Sequence, residues 1–249
     1  MASGFLVLLS FFTQIPIGKK IEYNEENLKK ALGLYSLMGA VIGIILFIIA
    51  YISNLVFADY VKGIVLTIGY LIVTGGIHLD GSADSADGLF SGRTGNRIFE
   101  IMSDSHIGAF GVLCLIIIVL TQSILFSNID IFTIFLMPIV GRTSVIVSSF
   151  DKKYAKKTKG MGTVFIEGIT TEVFLINLLI LAICCIIVPN RLVVLISSFI
   201  TLFIAYLISN WIENKIGGMT GDTCGFITEI SQLIFMVIVL FMKGLLWYI

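Results

Sequence analysis

The sequence predicts an all-α fold: a polytopic integral membrane bundle of about seven transmembrane helices, preceded by a short N-terminal re-entrant or interfacial segment. Three observations carry this. Of the 249 residues, 57% are hydrophobic and only 13% are charged, about half the charged share of a soluble domain. The mean hydropathy is +1.05. The apolar residues also fall into runs close to the roughly 20 needed to cross a bilayer. A soluble chain of this size leaves too much surface facing water to hide that much apolar side chain. A soluble enzyme, a disordered chain and a disulfide scaffold are therefore excluded. The formal net charge is zero, so no nucleic-acid partner is expected; membrane lipids are.

Residues 1–16 are apolar but lack a basic leading stretch and a small-residue cleavage site, so they do not read as a cleaved signal peptide. They are also short for a span. Seven apolar runs follow, at residues 32–57, 61–77, 107–126, 129–150, 173–188, 192–211 and 230–249. Ala58-Asp59, Ser127-Asn128 and Pro189-Asn190 are tight links between paired helices. Pro138 falls inside a run, which a membrane bundle tolerates. Gly39 and Gly43 form a G-x-x-x-G pair, either a packing face or a consequence of glycine-rich composition. Cys114, Cys184, Cys185 and Cys224 show no metal-type spacing and read as small hydrophobes.

Basic residues set the expected orientation. Lys19, Lys20, Lys29, Lys30, Arg93, Arg97, Lys152, Lys153, Lys156, Lys157, Lys159 and Lys215 fall on one set of connections, against Lys62 and Arg191 on the other. This places the N-terminus in the cytoplasm of a multi-pass inner-membrane protein. The reading is one transmembrane domain, residues 1–249, with cytoplasmic active-site loops at 78–106, 151–172 and 212–229. Polar residues gathered on one face suit an enzyme at the inner membrane surface. A cation transporter, the competing class, would set its ligands near the midplane.

The densest polar stretch runs from Gly75 to Gly88. Asp80, Asp84 and Asp87 are spaced i, i+4, i+7, so a helix would stack all three on one stripe. Stacked like charges call for a cation between them, and Mg²⁺ with carboxylate and phosphate oxygens fits. The small residues between them imply a closely approached surface. Glu100 and Asp104 repeat the i, i+4 spacing. Arg142, inside a span, calls for an anionic partner, and Arg93 follows the triad. His78 is a candidate general base or phosphate ligand, as is His106. In Gly217-Gly218-Met219-Thr220-Gly221-Asp222, a glycine-rich turn that includes Gly218 and Thr220 could bring amides to an anion, and Asp222 adds a metal ligand. The basic run 151–162 is either a lipid-headgroup anchor or a guide for a polyanionic substrate, with Gly160 and Gly162 as a flap. Carboxylates, Mg²⁺ and arginines together indicate phosphoryl transfer. The Asp80-Gly81-Ser82-Ala83-Asp84 run loosely resembles the opening of CDP-alcohol phosphotransferases, but the rest of that pattern is absent.

Residues 75–90 and 100–111, with Leu9–Pro16, the Gly141-Arg142 pair and residues 217–222 in the same order, resemble the cobalamin synthase (adenosylcobinamide-GDP ribazoletransferase) family over nearly the whole chain. His106 departs from the pattern, which has Arg after Asp-Ser, and this bears on any cationic role there. The resemblance implies a late step of vitamin B12 assembly: α-ribazole or its 5′-phosphate is joined to adenosylcobinamide-GDP with release of GMP, using Mg²⁺. It implies that Asp80, Asp84 and Asp87 hold Mg²⁺, and that Glu100, Asp104 and Asp222 supply a second metal site or the base. Arg93 and Arg142 would offset phosphate charge. The bulky corrinoid implies a wide cleft between residues 78–106 and 151–172. A homo-oligomer is compatible with all of this.

Overall fold

The computed structural model describes residues 2–16, 25–156 and 160–247. Lys19, Lys20, Lys157 and Lys159, counted above for orientation, lie outside the described residues. The chain forms twelve α-helices among those residues: α1 (Ala2–Phe12), α2 (Glu25–Ala31), α3 (Tyr35–Val56), α4 (Asp59–Thr74), α5 (Ile77–Phe90), α6 (Asn96–Met102), α7 (Ala109–Asn128), α8 (Ile131–Ser149), α9 (Met161–Glu167), α10 (Thr171–Ile187), α11 (Arg191–Ile216) and α12 (Gly221–Trp247). Among the described residues extended pairing is confined to one isolated bridge, Tyr154 with Met219.

Each expected apolar run is a helix, but the expected seven spans are not all long enough. Among the described residues five helices are long and apolar enough to cross a membrane, the first continuous from Glu25 to Val56, and six if α4 and α5 count as one broken span. At 16 residues, α4 is only about 24 Å long against a hydrocarbon core of about 30 Å. At 17 residues, α10 is also short. Helix α1, 11 residues, is too short to cross.

α8 is the centre of the bundle, packed against α3, α10, α11 and α12. The Gly39/Gly43 pair makes the α3 contact possible. A Cβ on Gly39 would lie 2.6 Å from the Pro138 carbonyl oxygen, and one on Gly43 would lie 2.2 Å from that of Phe135. The pair is a packing face. The segment 212–229 is not a loop: α11 runs to Ile216 and α12 starts at Gly221.

One turn positions the functional end. α5 is bent 92° from α4. The hinge is Gly75 and Gly76, both left-handed at φ 65° and 70°, a conformation that costs glycine little. The Gln14 amide donates to the Val73 carbonyl at 2.8 Å, satisfying the end of α4. Set at 92° to α4, α5 is not among the five helices long and apolar enough to span by themselves. It packs on α12, α7 and α6. Gly81 and Gly225 allow the α12 crossing: a Cβ on Gly81 would lie 3.0 Å from the Asp222 backbone, and one on Gly225 would lie 3.0 Å from the His78 carbonyl oxygen.

Candidate active site

α5 is helical through the acidic stretch, so the stripe of three aspartates exists, but its members have different surroundings. Asp80 is exposed, Asp84 half-buried and Asp87 buried. Asp87 accepts from the Gly108 amide at 2.7 Å and the Gly111 amide at 2.9 Å. Its carboxylate thus sits on the N-terminus of α7, where free amides and the helix dipole favour an anion. Asp84 instead feels the charges of Asp80 and of Asp222, which lies in the first turn of α12. Burial pushes the Asp84 carboxyl up to about 6; the like charges of Asp80, Asp222 and Asp87 push the same way, and Lys156 opposes them. Lys156 pairs with Asp222 at 3.0 Å.

The basic segment reaches this cluster through the bridge at Met219. The Ala155 amide donates to the Met219 carbonyl and the Met219 amide donates to that of Lys153, both at 2.9 Å. Gly218 lies under this pairing, where a Cβ would strike the Lys153 carbonyl oxygen at 2.2 Å. Thr220 is fully buried and accepts from the Thr223 amide at 3.2 Å, closing the start of α12. The Gly218 and Thr220 positions are therefore accounted for by docking and capping. Lys152 is held by Asn210 and Glu213.

The second acidic pair has partners of its own. Glu100 pairs with Arg97, and Asp104 with His106 at 2.8 Å. Arg93, Glu100, Asp104 and His106 are all exposed. Among the described residues no three His, Cys, Asp or Glu side chains converge closely enough to enclose a metal ion. The donor chemistry of the Asp80–Asp84–Asp222 cluster still suits a hard cation, since Mg²⁺ is commonly held by one or two carboxylates with substrate phosphates and water.

Beside the cluster is a cavity of about 200 Å³ between α1, α5, α9 and α12, with Asp80 and Asp222 in its wall. His78 lines it and is 4% exposed, and its Nε2 has no partner. Burial first, and then the Arg142 charge, hold this imidazole neutral, with its pKa well below the ordinary histidine value. Gly162 also lines the cavity and belongs to α9; it is part of a helix and not the expected flap.

Near His78 lies a polar network of which the sequence reading named only Arg142, expecting it to offset phosphate charge. Tyr70 donates to Glu229 at 2.6 Å, Gln232 donates to Tyr70 at 2.9 Å, and Arg142 donates to Gln232 at 3.3 Å. Arg142 is fully buried, and its Nε and Nη2 lack partners. The available signal was Glu229, an acid at the edge of an apolar run, where an ionisable group needs a reason. Lys156 as counter-charge to Asp222, and α1 as a cavity wall, left no comparable mark.

Comparisons with known proteins agree over almost the whole chain. The family model for cobalamin-5-phosphate synthase matches residues 4–240. The adenosylcobinamide-GDP ribazoletransferase of Clostridium acetobutylicum is 32% identical over 240 residues, 94% of each chain. That of Clostridium botulinum strain Loch Maree is 35% identical over 246 residues, 96% of this chain and 98% of the relative. That of Fusobacterium nucleatum is 35% identical, covering 93% of this chain and 95% of the relative. No solved structure matches.

Proposed function

The chain belongs to the cobalamin-5-phosphate synthase family, and from that premise we propose that it joins adenosylcobinamide-GDP to α-ribazole or α-ribazole 5′-phosphate at the cytoplasmic face of the cell membrane. A ribazole hydroxyl attacks the phosphorus that carries the cobinamide. The new P–O bond forms, the bond to the GMP oxygen breaks, and the hydroxyl proton passes to the protein. The products are GMP and adenosylcobalamin or its 5′-phosphate.

The observation that carries this reading is the load of like charge on Asp84. Asp80, Asp222 and Asp87 act on a half-buried carboxylate with Lys156 opposing them, an arrangement that a divalent cation or a cationic partner relieves. In this reading Asp84 and Asp222 hold Mg²⁺. The ion would neutralise the diphosphate and steady GMP as it leaves. Asp80, exposed at the cavity mouth, takes the hydroxyl proton. Lys156 leaves Asp222 for a substrate phosphate. Asp87 holds α5 to α7 and so keeps Asp84 in place. Positioning and charge neutralisation are most of what such a transfer asks of a protein.

The test is GMP release by the purified chain in detergent, supplied with Mg²⁺, adenosylcobinamide-GDP and α-ribazole. Asp84→Asn should lose turnover by about 10²-fold or more while remaining folded. Omission of either organic substrate should leave GMP at background. Normal turnover in Asp84→Asn would refute the role given to this carboxylate.

A further inference from the structure

We infer that Phe12, Thr13 and Gln14 form a strap that sets the angle of α5, and that Gln14 is thereby a positioning residue for Asp80. The strap itself is independent of the transfer reading; its consequence for turnover rests on that reading. The Leu9–Pro16 run has no part in the chemistry above, yet it meets the hinge on which the acidic helix turns.

The hinge is the first argument. Gly75 and Gly76 are both left-handed. Glycine has the widest choice of backbone conformation, so two in succession fix no angle unaided. Local bonds close the turn. The Thr74 hydroxyl donates to the Tyr70 carbonyl at 2.8 Å, the Gly76 amide donates to that hydroxyl at 3.4 Å, and the Asp80 amide donates to the Gly76 carbonyl at 3.0 Å. The Gln14 amide comes from outside the turn. It donates at 2.8 Å to the Val73 carbonyl, in the last turn of α4, where carbonyls lack partners within the helix. The Gln14 side chain covers Gly75: a Cβ there would lie 2.3 Å from its Nε2 and 3.1 Å from its Cγ.

Anchorage of the strap is the second argument. α1 is pressed onto α2, where a Cβ on Gly4 would lie 2.1 Å from the Asn27 carbonyl oxygen. Thr13 is buried, and its amide and hydroxyl both donate to the Leu9 carbonyl, at 3.0 and 2.5 Å. Phe12 stacks on His78, in the first turn of α5, at 5.5 Å between ring centroids. The strap therefore holds both sides of the hinge, α4 through Gln14 and α5 through Phe12.

Leverage is the third argument. The far end of α5 is held by Asp87 on α7 and by Lys215, which donates to the Leu89 carbonyl. Asp80 precedes Asp87 by about 10 Å along the helix, so a tilt of about 10° about that end moves it by about 2 Å. Asp84 is nearer the fixed end and moves less than half as far. A misplacement of about 1 Å can cost on the order of 10²-fold in rate.

Gln14→Pro removes the amide donor. Gln14→Ala keeps the donor and removes only the exposed side chain. Ile15→Pro is the control for a proline in the strap, because the Ile15 amide bonds only weakly, to the Thr13 hydroxyl at 3.3 Å. The first measurement is hydrogen–deuterium exchange of the amides of residues 80–83 in the metal-free chain in detergent. The second is kcat and KM for both substrates, with thermal unfolding with and without Mg²⁺. Gln14→Pro should speed exchange at residues 80–83 roughly 10-fold or more, as local opening does. It should lower kcat roughly 10-fold or more while leaving both KM values within about twofold, and it should keep the Mg²⁺-induced rise in unfolding temperature. Gln14→Ala and Ile15→Pro should do neither. A second pair carries the test if Gln14→Pro does not fold. Gly75→Ala and Gly76→Ala share the strain of a left-handed backbone, but a Cβ on Gly76 meets nothing within 4 Å. Gly75→Ala should therefore exceed Gly76→Ala in both effects by about threefold or more. Unchanged exchange in Gln14→Pro, equal effects in Ile15→Pro, a KM rise as large as the fall in kcat, or, in the second pair, equal effects of the two glycine variants overturns the inference. If the unsubstituted chain releases no GMP, the transfer reading falls, and the exchange measurement alone decides whether the strap stands.

Discussion

Asp87 Oδ2 accepts the Gly108 amide at 2.7 Å, and with the Gly111 amide on its other oxygen this ties the last turns of α5 to the start of α7. The same carboxylate is thus spent on architecture, although it shares a stripe with Asp84. Replacing it with Asn removes the charge and one acceptor oxygen. Asp87→Asn should lose about 1–3 kcal/mol of stability, read as a lower unfolding temperature in detergent. Asp87→Ala should lose more. An unchanged unfolding temperature in both would show that the α7 cap does not matter.

Asp84→Asn should move stability the other way. In the metal-free chain Asp84 titrates near 6, raised from 3.8, so the folded state holds its proton more tightly than the unfolded state does. Its contribution favours folding below about pH 4 and is lost as pH rises through about 6. Removing the charge should stabilise the metal-free protein at pH 7 by on the order of 1 kcal/mol, after allowance for solvent screening at a half-exposed site. It should also flatten the slope of stability against pH between those limits. A lower unfolding temperature for the variant at pH 7 would contradict this.

Mg²⁺ should raise the unfolding temperature of the unsubstituted chain by mass action. Asp84→Asn should abolish that rise, and chelation should reverse it. Asp80→Asn, given the proton-accepting role, should keep most of the Mg²⁺ shift while losing turnover. Loss of the Mg²⁺ shift in Asp80→Asn and its retention in Asp84→Asn would exchange the two roles.

The Arg142–Gln232–Tyr70–Glu229 network lies inside the bundle, with Arg142 fully buried and Glu229 1% exposed. Arg142→Met leaves the acid without its counter-charge and should cost about 3–5 kcal/mol. The double substitution Arg142→Met with Glu229→Gln should recover a large part of that loss. A double-mutant cycle on thermal unfolding reads the coupling; purely additive losses would show that the two groups do not support one another.

Gly43→Val should be more damaging than its surroundings on α3 suggest. A Cβ there would lie 2.2 Å from the Phe135 carbonyl oxygen, and backbone cannot move aside as a flexible side chain can. A loss of about 1–3 kcal/mol or more is expected, visible as a lower unfolding temperature or a broadened size-exclusion peak. Gly244→Val, where a Cβ meets nothing within 4 Å, is the control.

The bundle was legible because a membrane imposes one rule on every residue of a span: backbone polar groups must pair within the helix and side chains must be apolar. Composition, run length and the two-residue links therefore located the long helices, although α11 runs on to Ile216 past the expected 211 and α12 starts at Gly221, well before the expected 230, and the short helices α2, α6 and α9 were not marked. Span count was less legible, because α4 and α10 stop short of the bilayer thickness and run length alone did not reveal the hinge at Gly75-Gly76. The acidic stripe was legible as a helical period. Which of its members face one another was not, since a period says which side of a helix a residue occupies and nothing about what lies opposite.

Sequence alone determined that this chain is a helical membrane protein with a carboxylate-rich end. Tertiary structure decided that Asp87 caps α7, that Asp222 and Lys156 join Asp80 and Asp84, that Glu100 and Asp104 pair with Arg97 and His106, and that α1 walls an aromatic cavity beside Asp80 and Asp222. The reason is physical: helix formation and lipid compatibility are local properties, readable one segment at a time, whereas the field at a carboxylate and the shape of a cavity are sums over groups that meet only when distant segments pack.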